Sequence, residues 1–366
     1  MVKEEFQIKE ERIRDLIERK NLAGIILGTL TNFLWLTGGR RNQIIKNADI
    51  SLVYLLITKQ KRYLLSTRSD ADRIMDEELS DLGFELVLYD WYRHSFVDAL
   101  NKIGINGTIG CDFYYEKFPN IEEDLTKLRV SLTKFEVRRV KALCKDYTEL
   151  LTDFCFTLKP GVPETDLAAD LHYKCAKRNI FPFVLMVGSD ERVFKYRHPV
   201  ATNKKVKKYV LIATVVERDG LNVSMSRSVY FGKLPEELKM KQTAVNTIES
   251  TYYAHSLPGI SLGDLFDIGK ATYSKLGYPH EWENHTQGGI VGYKPRELLV
   301  TEDSEIEINS NNVLGWNPTI QGVKAEDFIL VKEKEIEQLS IDPRWPYEEV
   351  RINGKMFCKP KILEIV

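Results

Sequence analysis

The sequence predicts two mixed domains: an α/β domain over residues 1–130 and an α+β domain over 131–366. Three observations predict this. The chain has 366 residues, enough for two or three domains at roughly 150 residues each. Its first third alternates short apolar runs with polar helical stretches, the pattern of an α/β layer. The remainder groups long helices beside strands, which reads as α+β.

In the first domain, Phe6, Ile13, Leu16 and Ile17 recur at helical spacing among charges, so 4–20 reads as an amphipathic helix. Apolar runs of strand length follow at 23–27, 33–37, 52–58, 63–66 and 84–89. The stretches 70–82 and 95–103 between them are polar and helical. A strand at 108–111 and a short helix near 120–128 close a largely open sheet.

The second domain starts at Thr133-Lys134-Phe135-Glu136. This has the form of a capping box, in which Thr and Glu satisfy each other's free backbone donors. The helix it opens stops near Lys159-Pro160-Gly161, and another covers 164–177. Strands at 209–217 and 221–230 flank Arg218-Asp219-Gly220, and Asp-Gly between apolar runs signals a hairpin. Helices at 236–255 and 262–276 lead into a Gly-rich polar stretch at 280–297. Strands at 313–316, 323–331 and 361–365 end the chain.

Composition removes several function classes. Lys+Arg is 52 and Asp+Glu 53, a net charge of -1, which argues against a generally basic nucleic-acid binder. Five cysteines stand at 111, 144, 155, 175 and 358 without a Cys-x-x-Cys pair, so reduced thiols are expected. No apolar run approaches the roughly 18 residues of a membrane span, and the N-terminus has no apolar secretory core. The expectation is a soluble cytoplasmic protein with neither membrane nor nucleic-acid partner. P-loop and Gly-x-Gly-x-x-Gly motifs are missing, and Gly259-Ile260-Ser261-Leu262-Gly263, which has Gly-x-Ser-x-Gly spacing, reads as a helix entry, which turns the reading away from serine hydrolases and nucleotide enzymes.

Four segments carry candidate chemistry. His198 stands before Pro199 in a basic loop, and taken singly it reads as a surface histidine. The segment 280–285 holds His280, Glu281, Glu283 and His285, donor types that suit zinc and similar ions, though their spacing matches no zinc motif. Glu326 and Asp327 sit in an apolar run. Adjacent residues of a strand face opposite ways, so one acid points inward and needs a partner or a function. Tyr293 and Arg296 lie in a polar loop with a ready arginine for anions.

Together these segments resemble the family of creatinase, prolidase, aminopeptidase P and methionine aminopeptidase, over nearly the whole chain. Asn32-Phe33-Leu34-Trp35-Leu36-Thr37-Gly38 resembles the Asn-x-x-Tyr-Leu-Thr-Gly of the creatinase-type N-terminal domain. Lys134-Phe135-Glu136, Lys159-Pro160-Gly161-Val162-Pro163-Glu164 and Val323-Lys324-Ala325-Glu326-Asp327 resemble successive landmarks of the catalytic domain. The resemblance implies a creatinase-type α/β domain followed by an α+β pita-bread domain.

It also implies a site. Peptidases of this family hold two metal ions with two Asp, one His and two Glu. Here Ala213 and Ser224 stand at the Asp positions, Gly289 at the His and Asn317 at the first Glu; Glu326 alone is kept. Positions 213 and 224 share a face whether the hairpin turns at 218–219, which sets them opposite, or at 219–220, which makes them diagonal. A hard divalent pair needs carboxylates, so the expected cofactor is none. His198 and His285 match the family's substrate-side histidines, and Arg296 is a cation at a former His position.

Creatinase, a metal-free member that cleaves a C–N bond with a histidine at the position of His198, supplies the analogy. The function it implies is a metal-independent C–N hydrolase acting on a small polar, carboxylate-bearing substrate. His198 acts as general base or acid. Glu326 orients it or binds a cationic group, and Arg296 holds a carboxylate. His285, Asn317, Ser224 and Tyr293 complete the polar wall. Two alternatives stay open: an inactive pita-bread protein that binds a peptide or ligand, and a metallopeptidase drawing on His280, Glu281, Glu283 or His285. The resemblance also implies a homodimer, in which Arg40 and Arg41 either reach a neighbour's substrate or form a basic turn.

Overall fold

The structure is a computed structural model that describes residues 2–45, 48–93 and 96–366. Two compact units emerge: Met1–Glu136 with Asp219–Leu221, and Val137–Arg218 with Asn222–Val366.

The first unit runs α1 (Val2–Arg19), β1 (Gly24–Thr29), α2 (Leu30–Thr37), β2 (Ile50–Thr58), β3 (Arg62–Ser66), α3 (Arg68–Arg73), β4 (Glu85–Leu88), α4 (Val97–Ile103), β5 (Ile109–Cys111) and α5 (Glu122–Arg129). Its strands form one mixed sheet in the order β4-β3-β2-β1-β5. The stripe Phe6, Ile13, Leu16 and Ile17 of α1 is buried, as its spacing predicts.

The predicted strand at 33–37 is instead the helix α2. Thr29 caps it by accepting from the Asn32 N–H, and Gly38 ends it in the left-handed region. Every residue from Asn32 to Thr37 is buried, and a short run that is apolar all round looks the same in sequence whether strand or helix. The helix predicted at 70–82 is broken: α3 ends at Arg73 and a π-helical turn covers Ile74–Glu78. Position 95, where the next helix was expected to start, lies outside the described residues.

Two buried charges tie this unit together. Asp112 accepts from the N–H of Gly28 (2.6 Å), the hydroxyl of Thr29 (2.6 Å) and the amide of Asn32 (2.8 Å), fixing the β1–α2 junction to the end of β5. Lys9 is fully buried, 2.5 Å from Glu5 and 2.7 Å from Glu136. Buried charges persist when paired and hydrogen-bonded in this way. Arg40 pairs with Asp81 at 2.5 Å and the Arg41 N–H donates to Glu78, both within the unit's own turns.

The helix α6 (Lys134–Phe156) opens at the capping box. The Glu136 N–H donates to the Thr133 hydroxyl (3.3 Å) and the Thr133 N–H donates to the Glu136 carboxylate (2.7 Å). There follow α7 (Glu164–Lys177), β6 (Phe181–Ser189), α8 (Glu191–Lys195), β7 (Tyr209–Arg218), β8 (Leu221–Phe231), α9 (Glu236–His255) and α10 (Leu262–Lys275). Next come β9 (Gly288–Val291), β10 (Leu298–Leu299), β11 (Val313–Trp316), β12 (Thr319–Ile320), β13 (Val323–Lys324) and β14 (Asp327–Val331). The last strands are β15 (Ile336–Gln338), β16 (Tyr347–Ile352), β17 (Lys355–Pro360) and β18 (Leu363–Ile365).

Two sheets carry the site, in the orders β18-β8-β7-β6 and β10-β9-β11-β14-β15. The strands β6, β9, β16 and β17 escaped the sequence reading. Pro182 and a bulge interrupt β6, which lies at a sheet edge where proline is tolerated. Two glycines open β9 and disguise it as a loop. The pair β16–β17 turns on Asn353-Gly354, both at positive φ, which is a strong hairpin signal.

Register decides which side chains meet. Trp316 faces Asp327, and Thr319 faces Lys324. The two ladders share one register, so Asn317 stands across from Glu326 in the gap between them. By the strand's period of two, Asn317, Thr319, Lys324 and Glu326 share a face. The strand β8 runs beside this gap: the Ser226 N–H donates to the Glu326 carbonyl at 3.0 Å. Asp219 and Gly220 both have positive φ, the demand of a two-residue type I′ turn. That turn makes Ala213 and Ser224 diagonal neighbours on one face.

Candidate functional site

The structure brings six of the candidate residues into two linked groups. His198, exposed in its loop, places Nε2 at 3.1 Å from Nε2 of His285. The His285 Nδ1 lies 2.6 Å from the Thr286 carbonyl. A carbonyl only accepts, so Nδ1 carries the proton and Nε2 of neutral His285 is the acceptor. His198 carrying its proton on Nε2 avoids two bare lone pairs facing each other at 3.1 Å, and Lys324 Nζ at 3.3 Å is a second donor to the same nitrogen. In that tautomer the basic nitrogen of His198 is Nδ1.

The second group surrounds Glu326. One carboxylate oxygen lies 3.3 Å from Arg296 Nη2 and the other 3.4 Å from Lys324 Nζ. Arg296 Nη1 also donates to the Ser224 hydroxyl at 3.4 Å and to the Pro295 carbonyl at 2.6 Å. Ser224 packs over β11: a Cβ built on Gly315 would lie 3.2 Å from its Oγ. Lys324 joins the groups, because its Nζ is also 3.3 Å from Nε2 of His285. Glu326 therefore reaches the histidines through Lys324. Asn317 is buried with its N–H donated to Gln287, and its Oδ1 has no hydrogen-bond partner.

Tyr293 is buried, and its hydroxyl accepts from Arg139 at 3.0 Å. Lys324 was not among the candidates, although alternation along 324–326 sets it on the face of Glu326.

Electrostatics follow from burial. His285 is pushed down to about 3, first by burial and then by the Lys324 ammonium. His198 is lowered too, by what burial it has and by Lys324. Burial also lowers Arg296 and Lys324, against the opposing pull of Glu326. Both shifts favour the neutral imidazole. The unfolded chain protonates His285 near pH 6.5 and the folded chain only near 3. Between those values the unfolded state binds more protons, so His285 makes stability fall as pH falls. His285→Gln is expected to flatten that slope by up to about 1.4 kcal/mol per pH unit, read from urea unfolding of both proteins across the window.

Comparison with known proteins identifies the frame. The profile of metallopeptidase family M24 matches residues 137–333. The chain belongs to the M24 family. The creatinase/prolidase N-terminal domain matches residues 10–140. An uncharacterised peptidase of Staphylococcus saprophyticus is 24% identical over 243 residues, covering 62% of this chain and 67% of that protein. The dipeptidase PepE of Mycobacterium ulcerans superposes with a TM-score of 0.80 at 14% identity, over all of both chains. The prolidase of Pyrococcus horikoshii does so at 0.78 and 18%, over 92% of this chain and 99% of its own. The pita-bread fold of the family is thus the fold of the second unit.

The residues that the family resemblance sets at the M24 donor positions do not suit a divalent pair. Ala213 offers no donor, and Ser224 and Asn317 offer neutral oxygens where charged, bridging ones are required. Gly289 offers nothing and can offer nothing: a Cβ there would stand 2.1 Å from the Leu298 carbonyl oxygen, at a φ of 148°. Glu326 is engaged by two cations. The alternative donors are dispersed, with His280 exposed beside Glu283 and Glu281 paired to Arg197. Among the described residues no group of three or more His, Cys, Asp or Glu is placed to hold a metal ion.

Proposed function

We propose that this M24 member is a metal-independent C–N hydrolase for a small, polar, carboxylate-bearing substrate. The observation that carries the reading is the His198–His285 contact, in which the Thr286 carbonyl accepts the Nδ1 proton of His285 and the Nε2 of that ring faces His198. His198 Nδ1 is left as a neutral base at the open edge of the cleft. It takes a proton from water as the oxygen adds to the substrate carbon. The same proton then passes to the leaving nitrogen as the C–N bond breaks, so none is gained or lost overall. His285 holds the Nε2–H of His198 through both steps. Arg296 and Ser224 bind the substrate, and Glu326 is a positioning residue that acts through Lys324.

The test is turnover of guanidino acids, N-acyl amino acids and dipeptides with chelator present, read as released amine. His198→Ala is expected to lower kcat about 100-fold or more with little change in KM. Unchanged turnover in that variant, or turnover that appears only with added metal, overturns the reading.

A second reading is a cleft that binds the same ligands without turnover. What favours it is that Arg296 and Lys324 occupy both oxygens of Glu326, leaving no free carboxylate beside the histidines. We also read the protein as cytoplasmic and dimeric. Five free cysteines fit a reducing compartment, and light scattering of the purified protein measures the assembly. Among the described residues no helix is long and apolar enough to cross a membrane.

A further inference from the structure

We infer that the second unit carries a further ligand site, apart from the histidine cleft: a cavity of about 410 Å³ between α8, α9 and the adjoining ends of β7 and β8 that takes a small, uncharged aromatic molecule. None of the residues that line it is one of the cleft candidates. Pockets for small ligands run from roughly 300 to 1,000 Å³, so the space suits a molecule of one or two rings.

Aromatic surface is what the cavity offers. Phe194 of α8, Tyr209 of β7 and Tyr230 of β8 stand in a row, with successive ring centroids 6.0 Å and 6.1 Å apart. Pro235 and Leu238, at the start of α9, add to the lining. The Tyr209 hydroxyl is committed to the Gly322 carbonyl at 3.0 Å and to Ser228 at 3.3 Å, which leaves ring and not hydroxyl for a ligand. Phe194 keeps 38% of its surface exposed. Covering that surface with a ring gains both the burial of apolar area and the offset or edge contacts that aromatic pairs favour.

Charge selects against an ion. Lys204 lies 3.3 Å from Asp190 and 3.2 Å from Glu191, and Lys241 lies 2.8 Å from Glu237. Lys208 is the third lysine at the rim, so three acids meet three lysines and no charge is left over. Asp190 is held further by the backbone N–H groups of Lys207, Lys208 and Tyr209. A charged ligand would lose water there without meeting a surplus opposite charge, whereas an uncharged ring would not.

Phe194 joins the cavity to the cleft. Its carbonyl accepts from the Gln321 amide at 2.9 Å, and a Cβ built on Gly322 would stand 2.5 Å from its ring. The chain runs from Phe194 to His198 and from Gly322 to Lys324. A ring bound against Phe194 therefore rests on both segments that lead into the cleft.

The test is calorimetric titration of the whole protein with indole, with cyclohexanol as a non-aromatic control and indole-3-carboxylate as a charged one. Saturable binding of indole at one site per chain is expected, with both controls several-fold weaker. Phe194→Ala and Tyr230→Leu each take away one ring and are expected to weaken indole about fivefold or more. Leucine keeps apolar volume at position 230, so a misfolded Phe194→Ala still leaves the inference open to test. His198 does not line the cavity, and His198→Ala is expected to bind indole as the parent does, whatever becomes of turnover. No saturable indole binding, equal binding of cyclohexanol, tighter binding of the carboxylate, undiminished binding in Tyr230→Leu, or binding lost in His198→Ala overturns the inference.

Discussion

Gly289→Ala is expected to cost the fold about 3 kcal/mol or more, a severe loss for one methyl group. The reason is local. Gly289 is a paired residue of β9 between β10 and β11, facing Leu299 and Gly315. Its φ of 148° and the Leu298 carbonyl, 2.1 Å from where a Cβ would stand, leave no room for a side chain. Backbone cannot yield as the end of a flexible side chain does. The measurement is the urea midpoint of the variant against the parent at constant m-value. Gly289→His, at the position that the family resemblance assigns to a metal-binding histidine, is expected to be worse. The missing donor is thus a closed position and not merely a lost side chain. A Gly289→Ala variant as stable as the parent would remove that argument.

Glu326→Ala has the second large effect. It strands Arg296 and Lys324 as like charges in the cleft. Removing one partner of a buried ionic group costs about 3–5 kcal/mol. Lys324→Met does the reverse, since it leaves a single Arg296–Glu326 pair and is expected to be neutral or stabilising. The opposite signs distinguish a charge surplus from a balanced network, in which both variants would destabilise. Urea unfolding of the two variants reads the difference directly.

The sequence made the frame legible where the signals were local. The capping box at Thr133 and Glu136 forms with both reciprocal hydrogen bonds, and Asp219-Gly220 turns the hairpin between β7 and β8. It was ambiguous at 33–37, where burial on all sides erased the periodicity that separates helix from strand. At Gly288-Gly289, within the Gly-rich polar stretch, the glycines mark crowding inside a sheet. For the site, motif order located His198, His285, Arg296 and Glu326, but not their contacts. Alternation set Lys324 and Glu326 on one face. That Lys324 also meets His285, thirty-nine residues earlier, depends on how the two segments pack and leaves no trace in spacing.

The claim that two side-chain cations stand where the family holds metal is tested most directly by metal content. The protein is produced with added Mn, Co and Zn, dialysed without chelator and measured by elemental mass spectrometry. The account predicts well under about 0.1 ion per chain. About two ions per chain, the load of a dinuclear centre, would contradict it and return the chain to the metal-dependent peptidases of its family.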